Sequence, residues 1–213
     1  MEADAALVDD VAAGALPALR LYRWRAPALS LGRFQPHDDV DDDACARLGV
    51  EVVRRPTGGR ALLHGADLTY AVAMPRPAGR LGRVDAIYCT LAAGIVSGLA
   101  RLGVEAHVAH HAPIRDAGPV CFTSMQGADL RVGDRKLCGS AQMRRGRAVL
   151  QHGSVLLDRL PFDESHVTRP SRRPVDVGAA TVTLRELGAP ADVGSVAAAL
   201  IEGFAETLDV DFT

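Results

Sequence analysis

The sequence predicts an α+β fold in which helices flank a mainly antiparallel or mixed sheet. Segments with the two-residue alternation of strands are interleaved with helical patterns, but without the regular strand–helix–strand order of a parallel α/β protein. No internal repeat is visible, and the 213 residues are 48% hydrophobic, which is enough for one sizeable core. We therefore expect residues 1–213 to form a single domain.

The first third of the chain predicts two helices and five strands. Apolar residues at helical spacing predict a helix over 4–14, which Gly14 ends. The aspartates of 38–43 suit the positive end of a helix dipole, so a second helix is expected over 44–49, with Gly49 as its C-cap. Metal binding by this acidic run is the alternative, but EF-hand spacing is missing. The predicted strands cover residues 19–24, 28–31, 50–54, 61–64 and 68–74.

The rest of the chain predicts a long helix, a run of strands and a final helix. Residues 84–102 place Ile87, Leu91, Ile95, Val96 and Leu99 on one apolar stripe. Strands are predicted over 104–108, 128–132, 135–143 and 148–157, the last three joined by tight turns. Residues 169–174 are rich in Pro and Arg and predict a surface linker before a helix over 193–208.

The composition disfavours several classes of protein. The 24 Lys and Arg residues nearly balance the 26 Asp and Glu residues, and aromatics make up only 4% of the chain, whereas a general nucleic-acid binder needs a basic face and stacking rings. No apolar run approaches the roughly 18 residues of a membrane-spanning helix, and the N-terminus lacks the pattern of a signal peptide. We therefore expect a cytoplasmic protein with neither nucleic acid nor membrane among its partners.

The basic residues include a single lysine, Lys136, among 24 Lys and Arg. Arginine stays protonated in proteins, whereas a lysine amine can lose its proton, so the two differ in proton-transfer chemistry. Lys136 is therefore a candidate catalytic residue. The alternative is chance in an arginine-biased composition.

The four cysteines, Cys45, Cys89, Cys121 and Cys138, form no CxxC pair and are expected to be free thiols. Most are expected to be core residues, with Cys89 in an apolar helix the plainest case. His107, His110 and His111 are expected to be solvated polar residues, with a metal site as the alternative. No metal site is predicted.

Two stretches combine glycine with residues that carry chemistry. In residues 54–60 the paired glycines allow a close approach to a ligand, and Arg54 and Arg55 offer planar forks for a phosphate or carboxylate. A turn with solvated arginines is the alternative, and no Walker A motif occurs. In residues 133–142 a strand would place Lys136, Cys138 and Ser140 on one face. Residues 151–154 would lie on the next strand, and the absence of a GxSxG elbow argues against a serine hydrolase.

Three segments resemble the lipoate-protein ligase A and octanoyltransferase family and occur in the same order as in that family. They are LSLGRFQP (29–36), VRRPTGGRALLHGADLTYAV (53–72) and GDRKLCGSAQMRRGRAVLQHGSVLLD (133–158). The resemblance implies a catalytic domain like those of class II aminoacyl-tRNA synthetases and biotin ligases, with a tunnel for a fatty-acyl chain. It also implies that Cys121 and Lys136 are catalytic. The substrate-binding residues that it implies are Arg54, Arg55, Gly58, Gly59, His64, Gly139, Ser140, Ala141 and His152.

Two chemistries occur in this family. The transferases move octanoyl from acyl carrier protein, through a cysteine thioester, to a lysine of a lipoyl domain or glycine cleavage H protein, and they need no cofactor. The ligases activate free lipoate with ATP and Mg²⁺. Three features favour the transferase. Residues 58–60 read Gly-Gly-Arg where ligases usually show a third glycine, and the chain ends soon after the catalytic region. Cys121-Phe122 also matches the Cys-Phe pair that supplies the nucleophile in the cysteine-dependent octanoyltransferases.

In the implied reaction, Cys121 attacks as a thiolate, and Lys136 lowers its pKa and later accepts a proton from the incoming amine. Lys136 would then have to be neutral, through burial or a neighbouring cation. Backbone N–H groups of Gly139 and Ser140 would stabilise the oxyanion. Cys138, expected on the tunnel wall, is a competing nucleophile. A catalytically silent relative that binds lipoyl domains is the alternative outside the enzymes.

Overall fold

The computed structural model describes residues 1–109, 129–169 and 176–212. The candidate nucleophile Cys121, together with His110 and His111, lies outside the described residues. So does most of the linker predicted over 169–174.

The secondary structure confirms the predicted elements. The helices are α1 (Glu2–Ala12), α2 (Asp42–Leu48), α3 (Val84–Arg101), the single turn α4 (Val177–Ala180) and α5 (Val193–Leu208). The strands are β1 (Ala18–Tyr22), β2 (Ala28–Leu31), β3 (Glu51–Arg54), β4 (Leu62–His64), β5 (Asp67–Pro75), β6 (His107–Val108), β7 (Leu130–Val132), β8 (Arg135–Arg145) and β9 (Ala148–Leu156). Only β6 is much shorter than its prediction over 104–108.

The strands form two sheets, and the predicted mainly antiparallel α+β fold is confirmed. The larger sheet has the order β1-β5-β9-β8-β7-β6, with every neighbouring pair antiparallel. The smaller sheet has the order β3-β2-β4, in which β2 runs parallel to β3 and antiparallel to β4. The parallel pair makes the architecture mixed.

Helices α3 and α5 cover one face of the larger sheet and form the main core with it. The two helices approach closely because glycines lie where they cross. A Cβ added at Gly203 would overlap the backbone of Gly94 and Gly98. The rigid contact fixes α3, whose first turns lie beside the cleft described below.

Helix α1 covers part of the opposite face of the larger sheet. Its Val8 and Val11 pack with Ala71, Ala73 and Leu150. Asp4 is also fully buried on this side, although a carboxylate is rarely buried without partners. One of its partners, His152, belongs to the cleft described below.

Helix α2 starts and ends as the sequence predicts. The carboxylate of Asp41 accepts a hydrogen bond from the backbone N–H of Ala44 at 2.9 Å, and Gly49 adopts a left-handed conformation with φ 65°. The acidic run therefore serves as a helix start.

Helix α3 corrects two sequence-based expectations. The sequence predicts no apolar run of membrane-spanning length, but α3 has a mean hydropathy of 1.3 over 18 residues and could cross a membrane by length and composition. Its residues Ile87, Leu91, Ile95 and Leu99 are buried in the main core, as in a core helix of a globular domain. Cys89, predicted to be a core residue, is exposed, since it lies two residues from Ile87 and so on another side of the helix. Cys45 and Cys138 are buried free thiols.

Candidate active site

A cleft with a cavity volume of about 140 Å³ lies where the smaller sheet faces the larger one. Residues of the smaller sheet, of the glycine loop 55–60 and of strands β5, β8 and β9 line it. Among the described residues the lining is Met1, Ser30, Arg55, Gly58, Gly59, Leu62, His64, Thr69, Tyr88, Asp129, Gly139, Ser140, Ala141, Gln142, His152, Gly153 and Ser154. The cleft thus contains every sequence-predicted substrate-binding residue except Arg54.

Strand register explains why His152 faces the cleft. His152 is paired with Ala71 on β5 and with Ala141 on β8. Because residues directly opposite in a sheet share a face, His152 lies on the same face as Ala71, which contacts α1. Ser154, two residues further along β9, lies on that face too and is paired with Gly139.

The guanidinium of Arg55 points into the protein and holds the glycine loop. It donates to the carbonyl of Ser30 at 2.7 Å, to that of Gly58 at 3.0 and 3.1 Å, and to that of Arg60. Arg55 is only 6% exposed. Much of its fork therefore fixes the loop against β2, instead of being offered to a ligand as the sequence suggested.

Arg54 points away from the cleft, because neighbouring residues of a strand face opposite sides. Its guanidinium donates to the carbonyls of Gly32 and Gln35, each at 2.8 Å. Gly32 in turn lies so close to the loop that an added Cβ would overlap the carbonyl of Gly59, which has φ 93°. Arg55 therefore holds the glycine loop directly, and Arg54 holds the neighbouring segment 32–35, which packs against that loop.

His64 belongs to a chain of hydrogen bonds that ends on β2. Its Nδ1 lies 2.9 Å from Asp67 Oδ2, and its Nε2 lies 2.8 Å from Ser30 Oγ. The Trp24 ring stacks on the imidazole with centroids 4.3 Å apart. Burial alone would raise the pKa of Asp67, but the charge and hydrogen bond of His64 lower it to about 2, so Asp67 is ionised at neutral pH.

His152 belongs to a second chain of the same type, which ends on the glycine loop. Its Nδ1 lies 3.0 Å from Asp4 Oδ2, and its Nε2 lies 2.6 Å from Thr57 Oγ1. Arg20 and Tyr22 donate to Asp4 at 2.6 and 2.8 Å. Burial lowers the pKa of His152 more than Asp4 raises it, which keeps the imidazole neutral at pH 7.

Both chains have the order carboxylate, imidazole and hydroxyl. An ionised carboxylate only accepts, so the Nδ1 of each imidazole carries a proton, and in the neutral ring of His152 the Nε2 accepts from the Thr57 hydroxyl. Both nitrogens of His64 and His152 are then occupied. These histidines hold the walls of the cleft in place, and neither has a ring nitrogen left for a substrate proton while its hydroxyl partner stays bound.

Lys136 is buried beside the cleft, with its Nζ 2.7 Å from Asp129 Oδ2. Asp129 lines the cleft, so the pair brings the chain's lysine to its wall. A neutral Lys136 requires burial or a neighbouring cation. The structure provides the burial, but the neighbour is a carboxylate, which favours the ammonium form.

The edge of β8 next to Lys136 presents backbone groups to the cleft. Strand β7 pairs with β8 only as far as Cys138, whereas β9 pairs with it from Cys138 to Arg145. The backbone N–H of Ser140 donates to Asp129 Oδ1 at 3.4 Å, which shows that it points away from β9. By alternation, the N–H of Gly139 points towards β9. Of the two predicted oxyanion donors, Ser140 has the suitable direction.

Cys138, expected on the tunnel wall, is not among the residues that line the cleft. It is fully buried in the main core, and burial raises the pKa of its thiol to about 12. A thiol protonated at neutral pH and sealed in a core is a poor nucleophile. The competing assignment for the nucleophile is therefore weakened on physical grounds.

Sequence reasoning missed the residues that tertiary contacts bring to the site. Asp4 and Ser30 come from separate elements and share no motif with the histidines that they support. Asp67 carried a weak signal, since it follows His64 by three residues in a resembling segment. Among the described residues no group of three or more His, Cys, Asp or Glu could hold a metal ion, and His107 is exposed, 3.6 Å from Glu105.

Glu164 supports the strand that carries His64. Its Oε1 accepts from the backbone N–H of Leu63 at 3.1 Å, and burial raises its pKa to about 7. Between the ordinary pKa of a glutamate and pH 7, the carboxyl of Glu164 stays protonated in the folded state but is ionised in the unfolded state. The free energy of unfolding should therefore fall as pH rises through this range, by roughly 1.4 kcal/mol per pH unit from this group.

We predict that Glu164→Gln, which keeps the acceptor oxygen, removes this component and makes the protein more stable than wild type at pH 8. Urea unfolding of both proteins from pH 5 to 8 measures the effect, with the exposed Glu51→Gln as the matched control. Equal slopes for wild type and Glu164→Gln would contradict the assignment.

Comparison with known proteins agrees with this geometry. Residues 1–205 match the family described as the lipoyl protein ligase A/B catalytic domain. A solved structure from Thermoplasma acidophilum, described as a bipartite lipoate protein ligase and its E2 lipoyl domain, superposes with a TM-score of 0.72 at 25% identity, covering 100% of this chain and 81% of that one.

Two curated relatives are named octanoyltransferase LipM. The protein of Carboxydothermus hydrogenoformans is 44% identical over 143 residues, which are 66% of this chain and 53% of the relative. That of Kyrpidia tusciae is 42% identical over 209 residues, which are 90% of this chain and 76% of the relative. The family match spans nearly the whole chain, and the chain belongs to the lipoyl protein ligase A/B catalytic-domain family.

Proposed function

We propose that this protein is an octanoyltransferase of lipoate biosynthesis. It takes octanoyl from acyl carrier protein, holds it as a thioester on Cys121, and passes it to a lysine of a lipoyl domain or of glycine cleavage H protein. The observation that carries the proposal is the buried Lys136–Asp129 pair at the wall of the cleft, in a chain 42–44% identical to proteins named octanoyltransferase.

In the first step, the thiolate of Cys121 attacks the carbonyl carbon of the octanoyl thioester. A new C–S bond forms and the bond to the carrier sulfur breaks. The carrier thiolate leaves and takes its proton from the Lys136 ammonium, which becomes the neutral amine that the second step needs. The Lys136 ammonium stabilises the thiolate and the oxyanion, and the Ser140 N–H is the backbone donor for the latter.

In the second step, the acceptor lysine attacks the same carbonyl carbon. A C–N bond forms, the C–S bond breaks and Cys121 leaves as a thiolate. The amine must lose its protons to give an amide, and we assign the acceptance of one proton to the buried Lys136–Asp129 pair at the wall of the cleft.

The ligase chemistry is the second candidate, because the matching solved structure is described as a lipoate protein ligase. The higher identity to the curated octanoyltransferases favours the transferase. We accordingly propose that transfer needs no ATP or Mg²⁺ and takes place in the cytoplasm. A catalytically silent relative would have no need of a buried lysine beside the cleft.

The test is incubation with octanoyl acyl carrier protein without ATP, followed by intact-mass measurement. We predict an adduct of octanoyl mass that is lost in Cys121→Ala and kept in Cys138→Ala, because the Cys138 thiol is protonated and buried. Transfer seen only with ATP and free lipoate would favour the ligase. An adduct lost in Cys138→Ala but kept in Cys121→Ala would reverse the assignment of the nucleophile.

Lys136→Arg separates the charge of the lysine from its proton transfer. Arginine keeps a cation beside Asp129 but stays protonated, so it cannot accept a proton from the acceptor amine. The carrier thiolate can take its proton from water, so we predict an adduct that still forms and a transfer to the acceptor slowed roughly 100-fold or more. Single-turnover transfer from the preformed adduct measures this. Because Lys136 is 1% exposed, thermal unfolding checks the fold, and Lys136→Gln serves as a second variant. An unchanged rate in Lys136→Arg would reduce its role to that of a positive charge.

Thr57 tests whether the His152 chain positions the glycine loop. Thr57→Val removes the hydroxyl at similar volume and leaves His152 Nε2 without its donor. A loop misplaced by about 1 Å can cost up to roughly 100-fold in rate, so we predict a kcat that is 10- to 100-fold lower with little change in KM. Thr57→Ser, which keeps the hydroxyl, should retain the rate. Equal losses in the two variants would show that the hydroxyl is not the deciding group and would contradict the prediction.

A further inference from the structure

Exposed arginines gather at one end of the larger sheet, outside the cleft. They belong to the segment between β5 and α3 and to the hairpin that joins β8 to β9. We call this surface the arginine end. Its members are Arg76, Arg80, Arg83, Arg144, Arg145 and Arg147.

Contacts between the two segments show that the arginine end is one surface. The backbone N–H of Arg76 donates to the carbonyl of Arg147 at 2.7 Å. The guanidinium of Arg144 donates to the carbonyl of Gly82 at 2.8 Å, which places it on the turn that contains Arg80.

The arginine end carries a surplus of positive charge. Arg83 is paired with Asp85 at 3.1 Å and Arg145 with Asp9 at 2.7 Å. In the described part of the chain, no carboxylate lies within ion-pair distance of the other four arginines. This surplus is notable because the whole chain has a formal charge of −2. Its acidic run over 38–43 lies in the turn and helix beside the smaller sheet.

The arginine end adjoins the cleft. Arg144 follows Gln142, which lines the cleft, by two residues along β8, so the two lie about 7 Å apart on the same side of the strand. Tyr88, which also lines the cleft, follows Val84 by about one helical turn. Leu81 and Val84 are 69% and 45% exposed there and add apolar surface.

We propose that the arginine end docks the acyl donor, an acidic carrier domain that presents its acyl group on a phosphate-linked arm. Guanidinium forks bind carboxylates and phosphates in the same planar geometry, and charge complementarity steers the encounter. The inference rests on the proposed function, since it assigns a surface to one of the two protein substrates.

Two features favour the donor over the acceptor at this surface. The phosphate of the donor's arm matches the guanidinium groups, whereas an acceptor lysine brings a cation. The donor also delivers its acyl group at the end of a long arm, so its carrier domain has to dock beside the cleft instead of within it. The arginine end lies at that position.

The experiment compares Arg80→Glu/Arg147→Glu with the control Arg25→Glu/Arg47→Glu, which makes the same change of charge at exposed arginines elsewhere. Steady-state transfer to the acceptor is measured with octanoyl carrier protein and with the N-acetylcysteamine thioester of octanoate, an uncharged donor without a carrier. We expect the KM for the carrier donor to rise about tenfold or more at low salt in the first variant alone, and the difference to shrink at high salt. The KM for the small donor should not change.

Three outcomes would overturn the inference while leaving the proposed function in place. These are an unchanged KM for the carrier donor, an equal rise in the control variant, and a rise in the KM of the lipoyl-domain acceptor instead of the donor. A wild-type protein that transfers octanoyl from neither donor would contradict the proposed function itself, and the inference with it.

Discussion

The architecture of the cleft depends on one buried cation, the guanidinium of Arg55. Burying a charge is costly unless hydrogen bonds compensate it, and Arg55 obtains them from carbonyl groups of β2 and of its own loop. That arrangement forces the loop to curl back over β2 and places Thr57 within 2.6 Å of His152 on the larger sheet. The loop therefore bridges both walls, and the spacing between the walls follows from where the guanidinium sits.

Much of the fold could be predicted because its signals are local. The left-handed Gly49 ends α2, and α5 covers Val193–Leu208 as its pattern predicts. Predictions failed where the outcome depends on contacts distant in sequence. The exposure of Cys89 is decided by which side of α3 meets the sheet. Among the described residues, the two-residue strand β6 pairs only with β7, which has three residues.

The candidate site was predictable in its members more than in their roles. The resembling segments supply the cleft residues, but a sequence does not show which way a side chain points. The sequence predicts that Arg54 and Arg55 offer guanidinium groups to a ligand, whereas in the structure both donate to backbone carbonyls. Asp4 had no sequence signal at all, because its importance comes from being buried against His152, which is 148 residues away.

The Lys136–Asp129 pair explains how a lysine can be buried and still serve both proposed steps. An isolated ammonium in such a place would be strongly destabilised, whereas a pair in contact at 2.7 Å carries no net charge. In the proposed first step, the ammonium stabilises the negative charge that develops on the acyl oxygen. When the acceptor amine attacks, the same pair can take up a proton and share it between two adjacent sites. Arginine could fill only the first of these roles, which accounts physically for one lysine in a chain that otherwise uses arginine.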